Sequence, residues 1–150
     1  MTAEPIAPDR LAIIQECTDL IFRFAERNDA RDADALAAMF TQDGVFTRPT
    51  KPDEPYQGRE AIRAGFRAKP ATLLTRHIIT NVVVTVASAS EARAHSYIQL
   101  FTAKLEEGAR LPVAADARSL IGEFNDVLVR DADGAWRFKT RTGSLAMTVG

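Results

Sequence analysis

The sequence holds one cysteine, Cys17, in 150 residues. A single thiol excludes an internal disulfide and a cysteine-rich metal centre. Histidine is nearly as scarce, with only His77 and His95. Cys17 falls on a helical apolar stripe, so a metal site is not expected; no cofactor is expected either. Long apolar runs are missing too; none approaches the ~20 residues that span a bilayer. The start, MTAEPIAPDR, carries acids and prolines where a secretory leader would carry bases and an apolar core. Nor does either sign of charge dominate. Nineteen Lys and Arg against 20 Asp and Glu leave a net charge of −1. Without a basic cluster, neither nucleic acid nor an anionic membrane is an expected partner. The expectation at this point is a reduced, cytoplasmic, single-domain protein.

A chain of this length buries roughly 68–70% of its unfolded surface, enough for one stable domain. Residues 1–150 form that domain, with 1–8 expected as a flexible tail. From Asp9, a natural N-cap, Leu11, Ile14, Cys17, Leu20, Ile21, Phe24 and Ala25 recur at helical spacing. The polar ERNDARD ends that stripe, and Asp32 caps a second helix through ADALAAMF. TQDG reads as a turn and VFT as a short strand. RPTKPDEPYQG, with three prolines, reads as an irregular rim loop. A third helix fits GREAIRAGFRA. After Pro70, HIITNVVVTVA, EARAHSYIQLFTAKL, SLIGEFNDVLVRD and AWRFKTRTGSLA read as strands, divided by ASAS, EEGARLP and DADG.

Helices first and antiparallel strands afterwards make an α+β domain. The expected architecture is a cone-shaped barrel: a strongly curved, mainly antiparallel sheet packed against about three N-terminal helices. The open end of such a cone is a pocket for an apolar small molecule.

From about Leu11 to Leu145 the chain resembles the nuclear transport factor 2-like superfamily. Within it, the chain is similar to the SnoaL-like group of polyketide cyclases, scytalone dehydratase and bile-acid dehydratases. The segments that carry this are FRFAERNDARDADALAAMF, GREAIRAGF, TRHIITNVVV and GEFNDVLVRDADGAWRF. In the dehydratases an aspartate after the first helix pairs with a histidine at the start of the first long strand. Asp29 and His77 stand at those positions, so the resemblance implies an acid/base pair. A carboxylate on one ring nitrogen fixes the tautomer, turns the other nitrogen to substrate and stabilises the imidazolium. The implied reaction eliminates water β to a carbonyl. Cyclisation or double-bond migration begins with the same proton abstraction, and a non-catalytic ligand-binding module would retain the same pair. From the residues alone, Asp29 reads more often as a turn or cap residue and His77 as a satisfied core residue.

The resemblance also implies that Phe24, Asn28, Phe46, Tyr56, Phe66 and Asn125 contact substrate. Tyrosines that polarise the carbonyl in those dehydratases are replaced, by Phe24, Asn28 and the Phe46–Thr47 pair. Tyr56 and Tyr97 are the two tyrosines left, and Asn125 is the expected substitute donor. Asn81 shares strand parity with His77, and Glu123 with Asn125; both are expected on the outer sheet face or in a subunit interface. His95 alternates with Arg93, Tyr97 and Gln99 on that polar face. It is not expected to be catalytic, and the face suggests a homodimer or homotrimer.

Overall fold

The computed structural model describes residues 8–150, with side chains from Asp9 onward. Three helices come first or nearly so: α1 Pro8–Asp29, α2 Ala33–Ala38 and α3 Arg59–Arg67. The strands are β1 Phe40–Arg48, β2 Lys51–Gln57, β3 Leu73–Val86, β4 Glu91–Lys104, β5 Ser119–Arg130 and β6 Trp136–Val149. They form one sheet in the order β2-β1-β6-β5-β4-β3. Only β1 and β6 pair in parallel; every other neighbour is antiparallel. The sheet curls around the helices without closing, which is the expected α+β cone. No described helix is long and apolar enough to cross a membrane.

Asp9 lies inside the first turn of α1 and is not its cap, and Pro8 is already helical. The rest of the expected tail lies outside the described residues. The buried stripe of α1 is Ile13, Cys17, Ile21, Phe24, Ala25 and Asn28, whereas Leu11 is half exposed. Asp32 does cap α2, its Oδ1 accepting from the Ala35 amide at 3.0 Å. That cap satisfies one of the orphan donors of a very short helix.

Two segments differ from expectation between α2 and α3. TQDG lies inside β1, where the register with β6 slips between Phe40 and Val45. The proline-rich segment is an edge strand, β2, hydrogen-bonded to β1 alone. An edge tolerates proline because one row of backbone donors has no partner to lose. Glu54 there meets Arg48 and Lys51, and such charges discourage edge-to-edge pairing.

A third difference is in β3. Leu73, Thr75, His77 and Ile79 face the helices, but the inward set resumes at Val82. The register with β4 shifts between Thr80 and Val83, and Asn81 has φ 52. This bulge breaks the parity that joined Asn81 to His77 and leaves Asn81 exposed.

The core is built on phenylalanine. Phe24 is ringed by Phe40, Phe46, Phe66, Phe124 and Phe138 at 5.5–6.4 Å between centroids. Among these rings sits Arg141, wholly buried. Its guanidinium lies 3.9 Å from the Phe124 centroid and 4.5 Å from that of Phe24. Its Nη1 donates to Asp126 Oδ2 at 2.6 Å, while Nε, Nη2 and Asp126 Oδ1 lack hydrogen-bond partners. Burial raises the Asp126 carboxyl and lowers the Arg141 guanidinium, each against the pull of the other. Desolvation of two ions is what a close pair and aromatic faces must offset here. Removing one partner strands the other. Asp126→Ala is expected to cost about 3–5 kcal/mol in urea unfolding; replacing both residues by apolar ones of similar volume should cost far less.

Candidate functional site

The carboxyl end of α1 delivers two consecutive side chains, Asn28 and Asp29, to His77 near the start of β3. Arg31, in the left-handed region at φ 61, turns the chain there: its amide donates to the Asn28 carbonyl and that of Asp32 to Arg27. Neighbouring helical side chains splay apart by about 100°, so the two grip opposite nitrogens of one imidazole.

Asp29 takes three donors. Oδ1 accepts from His77 Nδ1 at 2.5 Å and from Thr75 Oγ1 at 2.9 Å, and Oδ2 accepts from the His77 amide at 3.0 Å. Burial pushes this carboxyl up, but the His77 ring and amide and the Thr75 hydroxyl together hold it below its ordinary value. An ionised carboxylate only accepts, so Nδ1 carries the ring proton.

The other nitrogen is fixed by a second chain of hydrogen bonds. Lys69 Nζ can only donate, and it lies 2.6 Å from Asn28 Oδ1. That contact orients the amide and turns Asn28 Nδ2 to His77 Nε2, 3.3 Å away. Nε2 must then accept. The network is self-consistent only with a neutral ring whose lone pair is on Nε2.

Nε2 faces a cavity of about 230 Å³. A cavity of ~150 Å³ suffices for benzene, so this one admits a one- or two-ring molecule. Phe24, Phe46, Phe66 and Phe124 form one wall; Ile98, Leu100 and Leu120 of β4 and β5 form another. Polar atoms come from Asn28, His77, Thr75, Thr102, Tyr56, Lys69 and Arg48. Tyr56 packs against α3 at Gly65, where an added Cβ would clash with the ring. Arg48 sits over the same ring at 4.6 Å.

Of the expected site residues, Asp29, His77, Phe24, Asn28, Phe46, Tyr56 and Phe66 converge here, Asp29 from behind the histidine. Asn125 does not. It is exposed on the outer face, because Phe124, Asp126 and Leu128 take the inward positions of β5. Glu123 is also on the outer face, 2.9 Å from His95 Nε2. Lys69, Arg48 and Thr75 were not expected. Thr75 shares parity with His77 two residues earlier and was open to prediction; Lys69 and Arg48 flank irregular segments and were not.

Comparison with known proteins agrees with this fold. A family model described as the SnoaL-like domain matches residues 9–142. A candidate scytalone dehydratase from Novosphingobium aromaticivorans superposes with a TM-score of 0.80 at 22% identity, over 96% of this chain and 91% of that one. ActVI-ORFA from Streptomyces coelicolor gives a TM-score of 0.71 at 24% identity, over 89% and 97%. A hexachlorocyclohexane dehydrochlorinase gives a TM-score of 0.77 at 20% identity, over 94% and 90%. These are nuclear transport factor 2-like folds. No curated protein sequence matches the chain.

The depressed Asp29 carboxyl sets a pH dependence. Unfolded, it titrates near 4; folded, it titrates lower, so its contribution is present above about pH 4 and lost as pH falls through the folded value. Melting temperature followed against pH should show this acid-side decline in the wild type and a shallower one in Asp29→Asn. Identical slopes would mean that Asp29 is not held in ionised form.

Proposed function

The chain is a member of the SnoaL-like domain family, and on that premise we propose that it is a cofactor-independent lyase eliminating water β to a carbonyl of a small cyclic or polyketide-like substrate. The observation that carries the reading is the Asp29–His77 pair, with the acceptor nitrogen of a neutral imidazole turned into a mainly apolar cavity.

In this reading substrate displaces the 3.3 Å hydrogen bond from Asn28 Nδ2, and His77 Nε2 removes the proton from the carbon next to the carbonyl. Asp29, locked by three donors, holds the ring in place and stabilises the imidazolium. The bond to the β-hydroxyl then breaks, and the imidazolium returns the proton to the departing oxygen as water. One group takes and returns the proton, so both leave from one face of the substrate. The phenylalanine wall lowers the local polarity, which strengthens each charge interaction inside.

Intramolecular aldol closure and double-bond migration start from the same abstraction. They differ in product mass, since only elimination loses one water.

The test is a panel of cyclic β-hydroxy ketones assayed by mass spectrometry with the wild type and His77→Ala. A positioned acid/base contributes roughly 10²–10⁴-fold, and that loss is expected for the variant, with its melting curve unchanged in shape. Full turnover without the imidazole would end the catalytic reading and leave a ligand-binding cone in which Asp29 and His77 satisfy each other.

A further inference from the structure

The cavity contains a second titratable group that proton abstraction leaves without a task. Lys69 follows α3 in the turn leading to β3, where a lysine ordinarily extends into water. Here its ammonium points inward. It lies 4.4 Å from the Phe66 centroid and donates to Asn28 Oδ1 at 2.6 Å. The turn is pinned from outside. Arg31 donates to the carbonyl of Lys69 at 2.5 Å and to that of Leu73 at 3.4 Å. The residue that turns the chain after Asp29 therefore also fixes the backbone that carries the cation.

Asn28 joins the two groups. One end of its amide meets Lys69 and the other meets His77 Nε2, so ammonium and base flank one amide at the same end of the cavity. Tyr56, the one tyrosine lining the cavity, packs on Gly65 beneath Arg48 and has no hydrogen bond to His77 or Asn28. The charged groups that act on the ammonium are Arg31, Asp29 and Arg48. Burial and then repulsion from Arg31 and Arg48 lower its pKa to about 8, with Asp29 opposing. It stays mostly charged at neutral pH yet gains strongly from an anionic partner.

We infer that Lys69 is the catalytic donor that holds the oxyanion formed when His77 removes the α-proton. This rests on the elimination reading and names the substrate feature the site selects: an enolisable carbonyl whose oxygen reaches the ammonium while the adjacent C–H reaches Nε2. The C–H electron pair becomes a carbon–carbon double bond, and the carbonyl pair moves to oxygen, giving an enolate beside Lys69. The oxygen pair then re-forms the carbonyl, and the enolate π pair becomes the α,β double bond as the β carbon–oxygen bond breaks and its pair leaves on hydroxide. Hydroxide takes the proton from the imidazolium and leaves as water. Lys69 supplies charge and hydrogen bonds and exchanges no proton.

A phenolate has the same oxyanion, and 4-nitrophenol reports its ionisation by colour without turnover. An opposite charge within about 4–6 Å lowers an acid by about 1–3 units, so the ionisation midpoint of 4-nitrophenol bound to the wild type should fall by that much. Lys69→Met should abolish the fall, Lys69→Arg should restore most of it, and His77→Ala should keep it while losing turnover. Lys69→Gln provides the same comparison should the methionine variant not fold. The proposal is overturned if the neutral variants ionise the probe as the wild type does, if Tyr56→Phe alone removes the shift, or if the wild type neither binds nor ionises the probe. Turnover surviving in His77→Ala would sink the elimination reading separately, because the probe measurement does not depend on it.

Discussion

The site depends on one carboxylate that is given no freedom. Asp29 ends a long helix, and its two oxygens receive the His77 ring, the His77 amide and the Thr75 hydroxyl. Two of those donors are side chains of β3 and one is its backbone, so the same contacts that orient the imidazole also dock the strand onto α1. Catalytic geometry and fold are therefore not separate here. An imidazole held only by packing could rotate or exchange tautomers; one clamped at Nδ1 by an anion presents a single nitrogen to the cavity. The second clamp, from Lys69 through Asn28 to Nε2, acts through hydrogen-bond polarity: a donor-only cation sets the amide, and the amide sets what the ring can do.

The core has a comparable polar constraint. Arg141 and Asp126 form an ion pair inside a nest of phenylalanines, where burial works against both charges. The pair joins β5 to β6 directly behind the aromatic wall of the cavity. A single planar cation touching several rings fixes how those rings stack, in a way that interchangeable apolar side chains would not. The outer face of the sheet is built by softer rules, with exposed Tyr97 beside the half-exposed His95–Glu123 pair.

Much of this was legible in the sequence, and the exceptions share a cause. Helical stripes, the Asp32 cap and the four long strands follow from spacing and turn residues. The Asp29–His77 pair follows from resemblance; spacing alone left it open. What was hidden depends on where alternation slips. The Asn81 bulge shifts parity within β3. A slip in the β5–β6 register between Val127 and Leu128 puts Arg141 on the same side as Phe138 although their parities differ. β2 was hidden because proline looks like a loop until a strand is known to lie at an edge. Asn125 was misplaced because it was matched to a resembling position, while Phe124 and Leu128 on either side of Asp126 already marked the inward parity. Lys69 was invisible for a different reason: only the tertiary turn held by Arg31 brings a loop lysine indoors.

The central claim is that His77 presents an unprotonated Nε2 to the cavity because Asp29 holds the proton on Nδ1. Nitrogen-15 NMR of the neutral His77 ring tests this directly, since a protonated and a lone-pair nitrogen resonate in separate ranges. The account predicts a protonated Nδ1 and a lone-pair Nε2 as the single dominant form. A proton on Nε2, or an even mixture of the two tautomers, would contradict it.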